Sequence, residues 1–481
     1  HTRGDQTSAP GAVIIFIFYS VVSSPKSSAK SKCIQLAHGF PRAHQVMMDR
    51  PLLVLFAVCA ISSSVGSLAP HNWDCIACET NSMLAGNWDI NNPNFNNTDL
   101  WWAKTIASSY AAVALNLNSA NTSITVEHAR ILKRLNPKIK FLVYQNSVLG
   151  PLTNEASATI NAHPEWWCRD DTGAPITLPQ GYTLNHSRAD VRSFYNNYPL
   201  HVFGADAKEL LDGVLNDDMG YSPHSLAKTN LARHDQWYRG KMQMSEEGSA
   251  IYGALNGGEM WGNDALNFNS QFSNTAYNGS VVNWNTSLAY QDVGFVEGAG
   301  CFWYQNRTTG EWEPDRFNTF LEGVINASAA GKPVVLHFSP GPSNVPIFKY
   351  PQEPSPSYNT FLALQWEGPT GSAQNVNTTA DAVRANAKKA LVGALAPFLI
   401  VASELVFFQY SWFYELQDGN IPCQVGIECG MPNEWYAEYS KPLGAPTGRA
   451  VKNGYVWTRE FAHASVYVDA RSRSSAKITW H

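Results

Sequence analysis

The chain has 481 residues, a net charge of −5, 15% charged residues and 12% aromatic residues. This charge argues against a nucleic-acid partner or an anionic membrane surface, because both bind basic protein surfaces. The aromatic content favours a carbohydrate partner, since the C–H faces of sugars pack on aromatic rings while sugar hydroxyls bind Asn, Asp and Gln.

The first 69 residues predict a leader and a signal peptide. We expect residues 1–47 to be an upstream leader that is disordered or not translated, with Met47 or Met48 as the true start. Residues 48–69 place a charged head before an apolar core and small residues, which is the layout of a secretory signal peptide. The expected product is secreted, free of the membrane after cleavage, and N-glycosylated at Asn-X-Ser/Thr sequons.

The cysteines beyond these segments are even in number, which in an exported protein predicts disulfide bonds. A local loop closure between Cys423 and Cys429 is expected. No thioredoxin-like pattern surrounds Cys75 and Cys78, and no His pair stands at zinc-finger spacing. The sequence therefore predicts no redox centre, no metal site and no cofactor. The six cysteines are Cys75, Cys78, Cys168, Cys301, Cys423 and Cys429.

Predicted helices and strands alternate along the chain from residue 99 onward. The apolar spacing predicts helices at 99–110, 126–135, 189–198, 225–247, 315–330 and 380–396. It predicts strands at 111–117, 139–144, 212–218, 252–256, 292–297 and 333–338. The apolar segment 391–408 is interrupted by Pro397 and Glu404, so we expect a buried helix feeding a core strand and not a membrane span.

This alternation predicts an α/β protein built on a parallel sheet. The number of strand and helix units favours a closed (β/α)8 TIM barrel over residues 70–442, and no Gly-rich dinucleotide or phosphate loop follows a strand. Alternating residues at 448–453, 455–461 and 465–469 predict a small C-terminal antiparallel β appendage, residues 443–481.

Acidic residues follow three of the predicted strands, where a barrel places its catalytic groups. Hydrolysis of a glycosidic bond needs two carboxyl groups, one protonated and one ionised. We predict Asp217 as nucleophile or base and Glu297 as proton donor. Side chains alternate along a strand, so only one of Asp217 and Asp218 can face the barrel mouth, and which of them is catalytic stays open. Asp212 opens the same strand and is expected to accept backbone N–H bonds.

Other polar and aromatic residues near strand exits are candidates for substrate binding. Most of them also have a structural alternative: a cap or ion-pair partner for the acid, loop anchoring, packing beneath the long loop after the second predicted strand, or a hydrogen-bonded core histidine. The predicted substrate-binding residues are Tyr144, Asn146, Trp166, Trp167, Asn256, Glu259 and His337.

Three motifs resemble those of a known group of barrels. Residues 212–218 resemble the Asp-Gly-Val-Phe-Leu-Asp strand of glycoside hydrolase barrels, among them hypothetical glycosyl hydrolase family 15 and, more distantly, polygalactosaminidase-like barrels. The loop 163–173 and the tail 443–468 are similar to motifs of the same group. The resemblance implies a catalytic Asp at Asp217. The chain departs from the pattern at Asn216, where an apolar residue is usual, and at Asp218, a second acid.

Together these patterns predict a secreted glycoside hydrolase that acts on O-glycosidic bonds of an oligo- or polysaccharide, expected to be a monomer. A catalytically inactive glycan-binding barrel is the alternative. A lyase or deacetylase would need another kind of base or a metal triad, and no His/Asp cluster at ligand spacing supports one.

Overall fold

The computed structural model describes the greater part of the chain after residue 110. The described residues are 73, 84–85, 103–104, 107–108, 110–117, 121–178, 181–219, 231–263, 288, 290–297, 299, 312–338, 380–410, 436–472 and 475–481. They belong to the second of two compact units, Ser62–His481, the first being His1–Ile61. The predicted leader and signal peptide, and the cysteines other than Cys168, lie outside the described residues.

One parallel sheet forms the centre of the structure. Its strands, in chain order, are β1 (Leu84–Ala85), β2 (Ala112–Asn116), β3 (Lys140–Asn146), β6 (Gly213–Asp217), β7 (Glu259–Asn263), β8 (Val293–Glu297), β9 (Val334–Phe338) and β10 (Val406–Tyr410). Each strand pairs with the next in this order, and every pair is parallel. A two-stranded antiparallel ribbon, β4 (Thr177–Leu178) and β5 (Gly181–Tyr182), lies in the loop after β3.

Helices connect the parallel strands, as a parallel sheet requires. They are α1 (Ser123–Leu135), α2 (Asn154–Ala162), α3 (Ala189–Phe203), α4 (Ala207–Leu210), α5 (Leu231–Asn256), α6 (Pro314–Ala329) and α7 (Ala380–Val401), with 3₁₀ turns at Pro164–Trp166, Gly204–Asp206 and Ala437–Ser440. In α1, Val126, Ala129 and Leu132 repeat at helical spacing and are buried. Asn136 and Pro137 end that helix, as the sequence predicts.

The sheet is curled, with helices against one face. Side chains of alternate residues from every strand of the parallel sheet except β1 form a single buried cluster, which we call the inner cluster. The intervening residues, such as Val214, pack with helical residues in another core cluster. The α/β class and the parallel sheet are therefore confirmed. The inner cluster consists of Ala112, Ala114, Leu142, Leu215, Trp261, Val293, Phe295, Val335 and Phe407.

The C-terminal segment forms the predicted antiparallel sheet and adds a strand that the sequence reading missed. Its strands are β11 (Val451–Asn453), β12 (Val456–Glu460), β13 (Ala464–Asp469) and β14 (Ala476–Trp480), paired in that order. Trp457 and Val466 share a core cluster with Phe398 and Leu399 of α7. Arg459 fixes this contact, because its Nη1 donates to the backbone carbonyls of Leu399 (3.1 Å), Ile400 (3.0 Å) and Ala402 (2.5 Å) at the end of α7.

The predicted strand 252–256 is wrong, because these residues are the last turns of α5. Gly257, with a positive φ of 76°, ends the helix. The strand at this place is β7, which the sequence analysis did not predict. Among the described helices none is long and apolar enough to cross a membrane, and the segment around residue 400 divides into α7 and β10 as expected.

Cys168 is the one predicted disulfide cysteine within the described residues. It is buried, its Sγ lies 3.2 Å from the Leu184 carbonyl oxygen, and it packs with Ile176 and Trp237. The disulfide bonds stay a prediction.

Candidate active site

A layer of polar residues lies at the carboxyl ends of the parallel strands, directly above the inner cluster. Most of its members stand two positions after an apolar residue of that cluster, so alternation along the strand places them on the same face. The carboxyl ends of parallel strands are where such sheets carry their chemistry. The layer consists of Asn116, Tyr144, Asn146, Asp217, Asn263, His337 and Gln409.

Asp217 is the one acid of this layer, and its carboxylate accepts three hydrogen bonds. Its Oδ2 accepts a hydrogen bond from the Tyr144 hydroxyl, and its Oδ1 accepts from Asn263 Nδ2 at 2.7 Å and from the Asp218 backbone N–H at 2.8 Å. The carboxyl group is half-buried. An ionised carboxylate is an acceptor only and can take all three donors, so the site fixes Asp217 in one orientation.

Asp218 differs from its neighbour in backbone conformation and in its hydrogen-bond partners. Its φ of 56° is the one positive value at a non-glycine residue within the described part of the chain. Its Oδ2 accepts from Asn146 Nδ2 at 2.7 Å, and its carbonyl oxygen accepts from Lys241 Nζ at 2.6 Å. Burial, and next the charge of Asp217, raise the pKa of Asp218 to about 7. The two adjacent acids are thus held in different environments.

Tyr144 and Asn146 both contact the acid pair. Asn146 also accepts the backbone N–H groups of Val148 (2.9 Å) and Leu149 (3.0 Å) through Oδ1. Its amide therefore anchors the loop after β3 and holds Asp218 at the same time. A contact with substrate remains a prediction for both residues.

The departure at Asn216 has a structural reason. Asn216 faces away from the inner cluster and is fully buried, and its Oδ1 accepts from the Tyr195 hydroxyl of α3 at 2.9 Å. A polar residue here ties α3 to the strand that carries Asp217. Burial, and to a smaller extent Tyr252 and the two acids, raises the pKa of Tyr195 well above its ordinary value.

Trp166 and Trp167 lie in the loop after β3 with different surroundings. Trp166 is buried, stacks on His163 at 4.3 Å between ring centroids, and donates from Nε1 to Asp190. Packing beneath the loop, the structural alternative, therefore describes Trp166. Trp167 is half-buried and stacks on Tyr182 at 3.6 Å, nearly parallel. It keeps its role as a predicted sugar contact.

Asn256 and Glu259 do not lie at a strand exit, so their predicted placement is wrong. Both lie at the amino-terminal ends of the parallel strands, opposite to the ends that carry Asp217. Asn256 ends α5 and donates to the Leu211 carbonyl at 2.8 Å, and Glu259 opens β7. Glu259 is buried and accepts from Lys140 Nζ at 2.6 Å and from Trp261 Nε1 at 2.9 Å. Burial raises the pKa of the Glu259 carboxyl.

Glu297 and His337 occupy neighbouring strands. Glu297 is the last residue of β8 and stands in register with His337 of β9; its side chain lies outside the described part. One strand, β7, separates β8 from the strand of Asp217. His337 is buried, with its ring centroid 6.0 Å from that of Phe295. Within the described ranges no group of His, Cys, Asp and Glu could hold a metal ion.

Four contributors to the site escaped the sequence analysis. Asn116, Asn263 and Gln409 each lie two residues after an inner-cluster residue of the same strand, a signal that alternation could have provided once the strands were assigned. Lys241 comes from the middle of α5, where a single lysine carries no local mark of function.

The structure is similar to several solved glycoside hydrolases. The glycoside hydrolase domain of PelA from Pseudomonas aeruginosa is 10% identical, with a TM-score of 0.34, covering 54% of this chain and 82% of that one. The GH36 alpha-galactosidase AgaA from Geobacillus stearothermophilus is 12% identical, with a TM-score of 0.38, covering 81% of this chain and 47% of that one. Trehalose-6-phosphate hydrolase from Bacillus licheniformis is 11% identical, with a TM-score of 0.38, covering 71% and 65%. No curated protein matches the sequence.

A protein-family model also matches the sequence of this chain. The model described as "Hypothetical glycosyl hydrolase family 15" matches residues 133–349 and 373–465. These ranges make up more than half of the chain and include β6 with Asp217 as well as β11, β12 and the start of β13. The chain therefore belongs to hypothetical glycosyl hydrolase family 15.

Proposed function

We propose that this protein is a secreted glycoside hydrolase that cleaves O-glycosidic bonds of an oligo- or polysaccharide with a pair of carboxyl groups. The observation that carries the proposal is the Asp217 carboxylate, oriented by three donors at the carboxyl edge of a parallel sheet in a glycosyl hydrolase family. Such an edge is where this architecture places catalysis.

Asp217 is the nucleophile or base in this proposal, and Glu297 is the proton donor. If Asp217 is a nucleophile, its oxygen bonds the anomeric carbon while Glu297 gives a proton to the departing oxygen, and water then releases the sugar. If it is a base, it takes a proton from water as that water attacks. Their carboxyl separation decides between the two: about 5 Å implies retention, and roughly 6.5 to 9.5 Å implies inversion.

The strand order supports this pairing. Strands in a sheet are about 4.8 Å apart, so β6 and β8 are separated by roughly 10 Å at the backbone. Curling of the sheet brings groups on its inner face closer together than the backbones. We further propose that the curled sheet closes as a (β/α)8 barrel, which the inner cluster running from β2 to β10 supports.

The proposal is tested by release of reducing ends from a panel of oligo- and polysaccharides. We expect the wild type to hydrolyse at least one member, and Asp217→Asn and Glu297→Gln to bind it without turnover. Binding by the wild type without hydrolysis of any member would favour the inactive glycan-binding alternative. Recovery of the processed protein from the medium of a eukaryotic host tests secretion.

A further inference from the structure

The turn that follows β6 is held in an unusual backbone conformation at Asp218. Its left-handed φ of 56° costs energy in any residue with a Cβ and persists only where neighbours fix it. The turn is fixed on both sides by backbone bonds, from the Ser147 N–H to the Asp217 carbonyl at 3.0 Å and from the Met219 N–H to the Asn263 carbonyl at 3.1 Å. In this conformation the Asp218 N–H reaches Asp217 Oδ1.

The side chain of Lys241 reaches the same turn from α5. Lys241 is 4% exposed, and its Nζ donates to the Asp218 carbonyl at 2.6 Å. A buried ammonium needs a hydrogen-bond acceptor such as this carbonyl oxygen. Its charge also lowers the pKa of Asp218, against the effect of burial.

The close approach of α5 depends on Gly240. A Cβ at that position would lie 2.3 Å from the His186 carbonyl carbon, so only glycine allows the helix to pack this tightly. His186 is in turn bonded through Nε2 to the Ser147 carbonyl at 2.7 Å. The helix, the loop after β3 and the Asp218 turn therefore form one packed unit beside Asp217.

From this geometry we infer that Lys241 is a positioning residue for the reaction, which holds the Asp218 carbonyl and so keeps the left-handed turn whose N–H aims the Asp217 carboxylate. This inference rests on the proposed function, because it assigns Lys241 to the same site. Lys241 acts through Asp218 and Asp217 and does not itself contact the substrate.

The test compares Lys241→Met with Lys332→Met. Lys332 is a matched control, because its Nζ also donates to a backbone carbonyl, that of Gln291, at 3.0 Å. Gln291 precedes β8, so this bond lies at the amino-terminal ends of the strands, away from the candidate site. On the best substrate of the panel, Lys241→Met should lower kcat roughly 10- to 100-fold with KM changed less than about threefold, as expected of a misplaced catalytic group. Lys332→Met should keep the wild-type kcat. An unchanged kcat in folded Lys241→Met overturns the inference.

A double-mutant cycle with Asp218→Gly separates positioning from general stabilisation. Glycine adopts a positive φ without the Cβ penalty, so the turn then depends less on Lys241. The loss of kcat caused by Lys241→Met should shrink to about threefold or less in the Asp218→Gly background. An equal loss in both backgrounds overturns the inference.

Amide hydrogen exchange of a peptide spanning residues 213–219 provides a readout that does not need turnover. Lys241→Met should speed exchange in this peptide, whereas Lys332→Met should not. If the wild type hydrolyses no glycan, the proposed function fails while this exchange result still reports on the turn. Unchanged exchange in Lys241→Met overturns the inference even if the enzyme is active.

Discussion

The Tyr144 hydroxyl donates a hydrogen bond to Oδ2 of Asp217 across two adjacent parallel strands. Both side chains lie on the inner face of the sheet, and the bond leaves Oδ1 for Asn263 and the Asp218 backbone. The strands thus supply one donor from each side of the acid. This arrangement fixes the carboxylate before any substrate arrives, which is the condition for electrostatic preorganisation.

Tyr144→Phe should slow the reaction without unfolding the protein. A hydrogen bond to a charged group contributes about 1.5–3 kcal/mol, which corresponds to roughly a 10- to 100-fold loss of kcat. Steady-state kinetics on the best substrate measures the change, with circular dichroism as the folding control. A kcat equal to that of the wild type would show that the tyrosine does not orient Asp217 during turnover.

Asp218→Asn should change how stability depends on pH. The unfolded Asp has a pKa of about 3.9, whereas burial and Asp217 raise the folded pKa of Asp218 to about 7. Between these values unfolding releases a proton, so the wild type loses stability as pH rises from about 4 to 7, and above 7 this contribution no longer changes. The Asp218→Asn side chain does not titrate, so the stability of this variant lacks that fall between about pH 4 and 7.

The Tm difference between Asp218→Asn and the wild type therefore shifts in favour of the variant as pH rises from 4 to 7 and is constant above 7. Scanning calorimetry at four or five pH values measures it. A difference that is flat over this whole interval would contradict the assigned proton on Asp218.

Lys140→Met should lower stability and leave the chemistry intact. The Lys140 ammonium forms an ion pair with the buried Glu259 carboxyl group at the amino-terminal ends of the strands. Removing one partner of a buried ion pair costs about 3–5 kcal/mol of stability. Denaturant titration measures the loss, and kcat is measured on the folded fraction. A large fall in kcat at unchanged stability would contradict this account and would indicate that Glu259 takes part in the active site.

Arg459→Met should destabilise the junction between α7 and the C-terminal sheet. The half-buried guanidinium donates to three carbonyls at the helix end, and charged hydrogen bonds of this kind contribute about 1.5–3 kcal/mol. Arg471→Met is the control, because its pair with Asp469 is exposed and worth at most about 1 kcal/mol. Equal Tm values for the two variants would contradict the anchoring role.

The sequence could locate Asp217 because its strand is locally consistent. Gly213 to Asp217 is a short apolar run that ends in acids, and Asp212 accepts the Phe141 N–H at 2.7 Å, as predicted for an acid at the opposite end. Length, alternation and turn residues are local properties, so a single sequence reveals them.

The residues that contact or position Asp217 could not be predicted from the sequence in the same way. The strand of Asn263 has the sequence Glu-Met-Trp-Gly-Asn, which contains too little β-branched or alternating apolar character to be recognised. Residues 252–256 form a short, mainly apolar run that fits either a strand or a helix end. Tertiary packing of α5 makes this run the end of the helix. Lys241 reaches the site only through the packing of Gly240 on His186, a contact between distant segments.

The most direct test of the central claim is a comparison of Asp217→Asn with Asp212→Asn, two acids at opposite ends of one strand. On the best substrate we predict that Asp217→Asn loses kcat by about a thousandfold or more, the scale of a lost catalytic group, with its Kd for that glycan within about threefold of the wild type. Asp212→Asn should lose stability and keep its kcat. A kcat for Asp217→Asn within tenfold of the wild type would contradict the assignment of Asp217 as the catalytic carboxylate.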